Sequence, residues 1–429
     1  MSFLLRFFLV VLTVLLPSWA VAQPPANSTT PGPTSVQPPV VAPDSDTTEP
    51  DAGPPEEPLE QPAPVPDYEF GSFLLAASPL TRVPEMFGDS LPPSMTVTAT
   101  EFATSGIGIS SEAELFLAGG ARRAKVAENN RALPTDRIYF TYNHFQNATE
   151  TNLSGFTPAP FAAQWNDGLD RYTVGVEKTF GCGCWSAELR MPVVSENNFD
   201  FVSGSVRSSG TSGNVGNLAA ILKHVIYRSC QTVTSTGVAV DLPTGSDAEL
   251  QTTTVRYRIE NEAVCLSPFI ALMGTPSDEM FWNAFAQLDV PLNGHTVRYE
   301  SLPPFTEPDV TVGQFSDQTL LYLDVGGGYW LYRNARRCRP WGVAGIIEFH
   351  YTTALADSDQ LIAAPTRPGP TSMEVVTSAG RFDLVNATAG LHANLGGNTQ
   401  ARVAAVVPLC DDANRFFDSE IVVQVNHRF

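Results

Sequence analysis

Beyond its first two dozen residues, the 429-residue sequence has no apolar run long enough to cross a bilayer as a helix. The nearest approach, 216–227, is broken by Lys223. Positive charge is scarce: 25 Lys and Arg stand against 45 Asp and Glu, a formal net charge of −20. That balance argues against nucleic acid as a partner, because phosphate binding needs basic surface. It also argues against adhesion to acidic headgroups by charge alone. Motifs of chemistry are missing as well. None of His144, His224, His295, His350, His392 and His427 has a serine two residues on, the spacing at which a base could take a hydroxyl proton. No G-x-S-x-G elbow, H-E-x-x-H or P-loop occurs. Cys182-Gly-Cys184 is tighter than a C-x2-C knuckle and has no His pair beside it. The sequence therefore predicts a protein that is not an enzyme and that holds no metal and no cofactor.

What is present begins with a secretory signal at 1–22. Arg6 supplies its charged start, Phe7 to Leu16 its apolar core and Ala20-Val21-Ala22 its cleavage site. Gln23 stands where a lipoprotein needs cysteine. Segment 23–69 is rich in proline, and from Gln23 to Tyr68 it carries acids but no Lys or Arg. Such a segment buries too little apolar surface to offset chain entropy, so a disordered, self-repelling linker is expected. Residues 70–131, rich in Gly, Ser and Ala, are expected to form either a plug inside a barrel or extra strands.

From 132 to 429 the hydrophobic pattern has period two. Tyr172, Val174, Val176 and Phe180 alternate with Arg171, Thr173, Glu177 and Thr179; Trp185, Ala187, Leu189 and Met191 alternate with Ser186, Glu188 and Arg190. Strands are predicted near 136–147, 169–180, 184–192, 217–227, 235–242, 264–273, 281–291, 318–332, 341–351, 381–393, 399–408 and 420–429. Long connections (about 20 residues or more) alternate with short ones, the pattern of external loops and periplasmic turns. A soluble β-sandwich would also alternate, since one wet face suffices. Loop length and the C-terminus favour an all-β, up-and-down transmembrane barrel of about twelve antiparallel strands. The last strand sets Ile421, Val423, Val425 and Phe429 on one face and Gln424, Asn426 and Arg428 on the other. It is similar to the C-terminal signal of outer-membrane barrels, with Phe429 as the terminal aromatic and His427 as a departure.

Gly119 to Asn130, continuing through Leu133-Pro134-Thr135-Asp136-Arg137-Ile138-Tyr139-Phe140, resembles a segment of uncharacterised exported planctomycete proteins. Val174-Gly175-Val176-Glu177-Lys178-Thr179-Phe180 and Ala187-Glu188-Leu189-Arg190-Met191-Pro192 fit the same group. The resemblance implies a barrel-like surface protein of an organism with an outer membrane, and brings no activity.

The polar face carries Arg137, Arg171, Glu177, Glu188, Arg190, Asp289 and Glu348. In a water-filled barrel these would line the pore and set solute preference. In a filled one they would pair across the interior and conduct nothing. Twelve strands lie between filled eight-stranded and open sixteen-stranded barrels. The expected function is a narrow or plugged channel for small solutes, with a structural or adhesive barrel as the alternative. Expected partners are outer-membrane lipid and the barrel-assembly machinery. Cys182, Cys184 and Cys230 fall in neighbouring turns on one rim, so Cys230 is expected to pair with Cys182 or Cys184, the alternative being that all six cysteines are free, since closed ladders need no staple.

Overall fold

The structure, a computed structural model, describes residues 79–90, 95–102, 108–115, 123–157, 159–195, 198–203, 206–212, 215–251, 255–302, 309–334, 341–357, 359–363, 371–376, 381–396, 398–410 and 415–429. All lie in the compact unit Asp67–Phe429. The expected signal peptide and linker fall outside the described residues.

Among the described residues, after one 3-10 turn, Pro79–Arg82, every regular element is a strand: β1 (Met95–Phe102), β2 (Gly108–Leu115), β3 (Arg137–Thr157), β4 (Ala159–Phe180), β5 (Trp185–Val194), β6 (Asn198–Ser203), β7 (Val206–Ser212), β8 (Leu218–Arg228), β9 (Thr232–Leu242), β10 (Ala248–Gln251) and β11 (Val255–Ile259). The second half continues with β12 (Cys265–Gly274), β13 (Met280–Pro291), β14 (His295–Ser301), β15 (Val310–Phe315), β16 (Leu320–Asn334), β17 (Trp341–Ala354), β18 (Gln360–Ala363), β19 (Thr371–Val376), β20 (Asp383–Leu395), β21 (Thr399–Pro408) and β22 (Ser419–Arg428).

Twelve of these close into an antiparallel barrel in the order β3-β22-β21-β20-β17-β16-β13-β12-β9-β8-β5-β4, sealed by pairing of β3 with β4. The soluble sandwich is thereby ruled out as the fold. Closure leaves no open edge among these strands, the condition for crossing a bilayer with strands. The outward set is the apolar one. Ile138, Phe140, Val174, Leu189, Ile347, Val403 and Ile421 are exposed, although each is flanked by buried neighbours. Toward the short-turn rim, large side chains such as Phe180, Tyr227, Tyr329, Tyr332, Trp341 and Phe429 are also exposed, the placement that suits a membrane interface. The described barrel has the architecture of a bacterial outer-membrane β-barrel.

The long connections are not bare loops. Each folds back as short strands: β6–β7, β10–β11, β14–β15 and β18–β19. Six of them make a second sheet, β15-β14-β11-β10-β7-β6, while β18, β19, β1 and β2 extend the barrel sheet beyond β3. The first connection is almost absent, because β3 and β4 run on as one long hairpin from Arg137 to Phe180.

Candidate functional site: the barrel interior

The inward set is polar and charged, and it is buried. All seven side chains expected on a pore face inward: Arg137, Arg171, Glu177, Glu188, Arg190, Asp289 and Glu348 are each 6% exposed or less. They do not meet open solvent, because each finds a partner inside. Arg137 donates to Glu177 at 2.8 Å, and Lys223 donates to the same carboxylate at 3.1 Å. Ser186 adds a third donor to Glu177 at 2.7 Å. Arg190 and Tyr139 donate to Glu188 at 2.6 and 2.5 Å. Arg171 pairs with Glu128, and Asp289 accepts from Ser267 at 2.9 Å and faces Arg123 at 3.5 Å. Buried charges persist only when paired in this way.

Two segments outside the sheet, 79–90 and 123–136, lie against these inward side chains. The first runs upward from the short-turn rim. Arg428 donates to the Thr81 carbonyl at 3.0 Å, Asn283 to Pro84 at 3.2 Å, and Gln424 to Phe87 at 3.0 Å. Glu348 accepts from the N–H groups of Phe87 and Gly88 at 2.8 and 2.9 Å. The second segment returns. Asp241 accepts from the Ala124 N–H at 3.0 Å, Arg190 donates to Lys125 at 3.0 Å, and Lys223 to Arg131 at 2.9 Å. The two segments also bond each other: Met86 N–H donates to the Asn130 carbonyl at 2.7 Å, and Asn129 N–H to the Phe87 carbonyl at 3.2 Å. Gly88 sits at φ +73°, and a Cβ there would fall 2.6 Å from the Glu128 Cα, so only glycine allows this close approach.

The barrel wall makes room for this filling. A Cβ at Gly175 would fall 2.1 Å from the Tyr139 ring, and one at Gly328 would fall 2.2 Å from Phe281. These two glycines admit ring side chains of the wall itself, and Gly390 admits the inner segment, since a Cβ there would fall 2.6 Å from the Phe87 ring.

One group inside the barrel could in principle hold a cation. Asp89, Asp324 and His350 bring one ligand atom each to within 4.8 Å of one another, and all three are buried. The Lys125 ammonium already bridges the two carboxylates, 2.7 Å from Asp324 and in contact with Asp89. His350 faces Asp324 at 2.8 Å and donates to or accepts from Thr388 at 3.0 Å. The donor set is therefore matched by a resident ammonium and does not call for a metal.

One further expectation is resolved by geometry. Cys182, Cys184 and Cys230 are free and exposed, so the expected pairing is not formed. The reason is register. The Cys184 carbonyl accepts from Val225 N–H at 2.8 Å, and β8 then continues to Arg228 before the turn that holds Cys230. Cys230 therefore lies past the end of β8, in the turn closed by Ser229 N–H donating to the Thr232 carbonyl at 2.8 Å, and not opposite Cys184. Lys178, a charge on the outward face of β4, donates to Asp136 at 2.9 Å and lies 5.2 Å over the Phe429 ring.

No family model and no curated protein matches the sequence. Among solved structures, the chain is similar to the NanC porin at 5% identity and a TM-score of 0.34, covering 68% of this chain and all of that one. It is similar to the β-domain of the Bordetella autotransporter BrkA at 12% identity, TM-score 0.39, over 69% of this chain and all of that one. It is also similar to an outer-membrane channel of Pseudomonas putida F1 at 8% identity, TM-score 0.39, over 70% of this chain and 97% of that one.

Proposed function

We propose that this protein is a plugged outer-membrane channel for small solutes, without enzymatic activity, in which residues 79–90 and 123–136 are the plug. The reading extends to the exported planctomycete proteins that segment 119–140 resembles. The observation that carries it is the chemistry of the interior. A barrel built only to hold its shape can fill its interior with the side chains of its own wall, as small barrels do. Here the wall instead presents charges of both signs to two chain segments that bond it mainly through their own main chain. Lifted away, these segments would uncover a polar passage lined by Arg137, Arg171, Glu177, Glu188, Arg190, Asp289 and Glu348. Single-channel recording on the purified full chain tests this. The expected result is a nearly silent wild type and discrete openings when plug contacts are weakened, as in Gly88→Val. A variant with a verified loosened plug that stays silent in bilayers would favour the structural or adhesive barrel.

A further inference from the structure

The interior reads one stretch of polypeptide in detail. At Phe87 every main-chain polar atom is bonded. Its N–H and that of Gly88 donate to the two oxygens of Glu348 at 2.8 and 2.9 Å. Its carbonyl accepts from Gln424 at 3.0 Å. Arg402 donates to the carbonyl of Met86 at 3.3 Å. The Phe87 ring is fully buried. It lies where a Cβ on Gly390 would stand 2.6 Å away, and the Arg402 guanidinium covers it at 4.1 Å. A cation over an aromatic face is attractive and favours an aromatic ring at that position. On the returning segment Gln287 repeats the main-chain reading: its side-chain amide accepts from Val126 N–H at 2.7 Å and donates to the Ala124 carbonyl at 3.0 Å. These bonds recognise peptide groups whatever the side chain, while the Gly390 recess adds a preference for an aromatic ring.

We propose that the barrel interior is a binding site for short peptides carrying an aromatic residue followed by glycine, and that Met86-Phe87-Gly88, with Gly88 at φ +73°, occupies it in cis as a stand-in for that solute. The inference rests on the plugged-channel reading and names the solute class. Peptides fit because two consecutive N–H donors and an intervening carbonyl meet a carboxylate and an amide at matching spacing. A sugar chain has no such alternation of fixed donors and acceptors.

The test uses the full chain in detergent with a fluorescent N-acetyl-Ala-Phe-Gly amide as probe. In Gly88→Val the added side chain collides with Glu128 backbone and evicts the segment. Phe87→Pro, which removes both the ring and the N–H that Glu348 accepts and so releases the segment without a clash against Glu128, is the second variant should the first fail to fold. The wild type, whose site is filled, should not bind the probe. Either variant should bind it saturably, and adding Glu348→Gln or Gln424→Leu should weaken binding about tenfold or more, as expected for loss of a hydrogen bond inside a buried site. An N-methylated probe, lacking the Phe and Gly N–H donors, should bind as weakly. Absence of probe binding in both variants overturns the proposal, and so does binding indifferent to Glu348→Gln and to N-methylation. Conductance of the same variants separates the two readings. Openings without probe binding leave the channel standing and remove the peptide site. Probe binding without openings keeps the site and removes the channel.

Discussion

At the scale of single residues, the period-two pattern assigned faces correctly and left the environment of one face open. Leu189 is 47% exposed and Ser186 1% exposed on the same strand. In water an exposed leucine tolerates arginine; at membrane depth it does not. Leu189→Arg is therefore expected to cost about 2–4 kcal/mol in reversible unfolding from lipid, and a cost near zero would place that face in water. Ser186→Arg is no harmless control, because Ser186 donates to Glu177 inside the filled barrel and a larger side chain there overpacks. Asp136, at the mouth of the barrel just before β3, gives a pH-dependent counterpart. Burial alone would raise its carboxyl, but Lys178 and the amide and hydroxyl of Thr179 outweigh that and hold it below the usual carboxylate range. A folded-state value below the unfolded one contributes stability that is present above the unfolded value and lost as pH falls through the folded one. Acid titration of unfolding should thus show a limb that Asp136→Asn flattens; an unchanged limb would assign it to other groups.

At the scale of elements, all twelve barrel strands were legible, because a sheet with one apolar face writes its alternation into the sequence. Pro291 and Pro408 close β13 and β21, where loss of an N–H no longer breaks a ladder. The hairpins of the long connections were not legible: their strands are four to seven residues each, and beyond the pairing within each hairpin their further partners lie in distant segments, β7 with β10, β11 with β14 and β19 with β1. Segments 79–90 and 123–136 carried even less signal. Their structure comes from side chains up to several hundred positions away, as in the Phe87–Gln424 bond, and irregular chain without a ladder has no period to detect. Only the oddly charged polar face hinted that something fills the space. The last strand is legible for a different reason, since β22 pairs with β3 and closes the barrel. Its terminal Phe429 is 59% exposed and contributes little to packing. Deleting Phe429 is expected to lower the amount inserted in the outer membrane while leaving export intact, measured by membrane fractionation with a heat-modifiability gel. Unchanged insertion would detach the terminal aromatic from assembly.

At the scale of the whole molecule, the strand count and the alternation of connections fix an orientation. With an even number of strands and short turns toward the periplasm, both ends of the barrel lie on the periplasmic side, and the second sheet, β6, β7, β10, β11, β14 and β15, lies outside the cell. The cysteines report on this independently of any function. Cys182 and Cys184 sit in the tight turn after β4, where Gly181, Cys182 and Gly183 all have positive φ, and Cys230 sits in the turn after β8. All three are exposed, whereas Cys265, at the opposite end of its strand, is buried. A membrane-impermeant maleimide should therefore leave Cys182, Cys184 and Cys230 unmodified on intact cells and label all three once the outer membrane is permeabilised. Cys265 should stay protected until the barrel unfolds. Because none of the three is disulfide-bonded, single-cysteine variants should label at the same rate as the wild type. Labelling of Cys182 or Cys184 from outside intact cells would invert the barrel, and with it the side from which the inner segments enter.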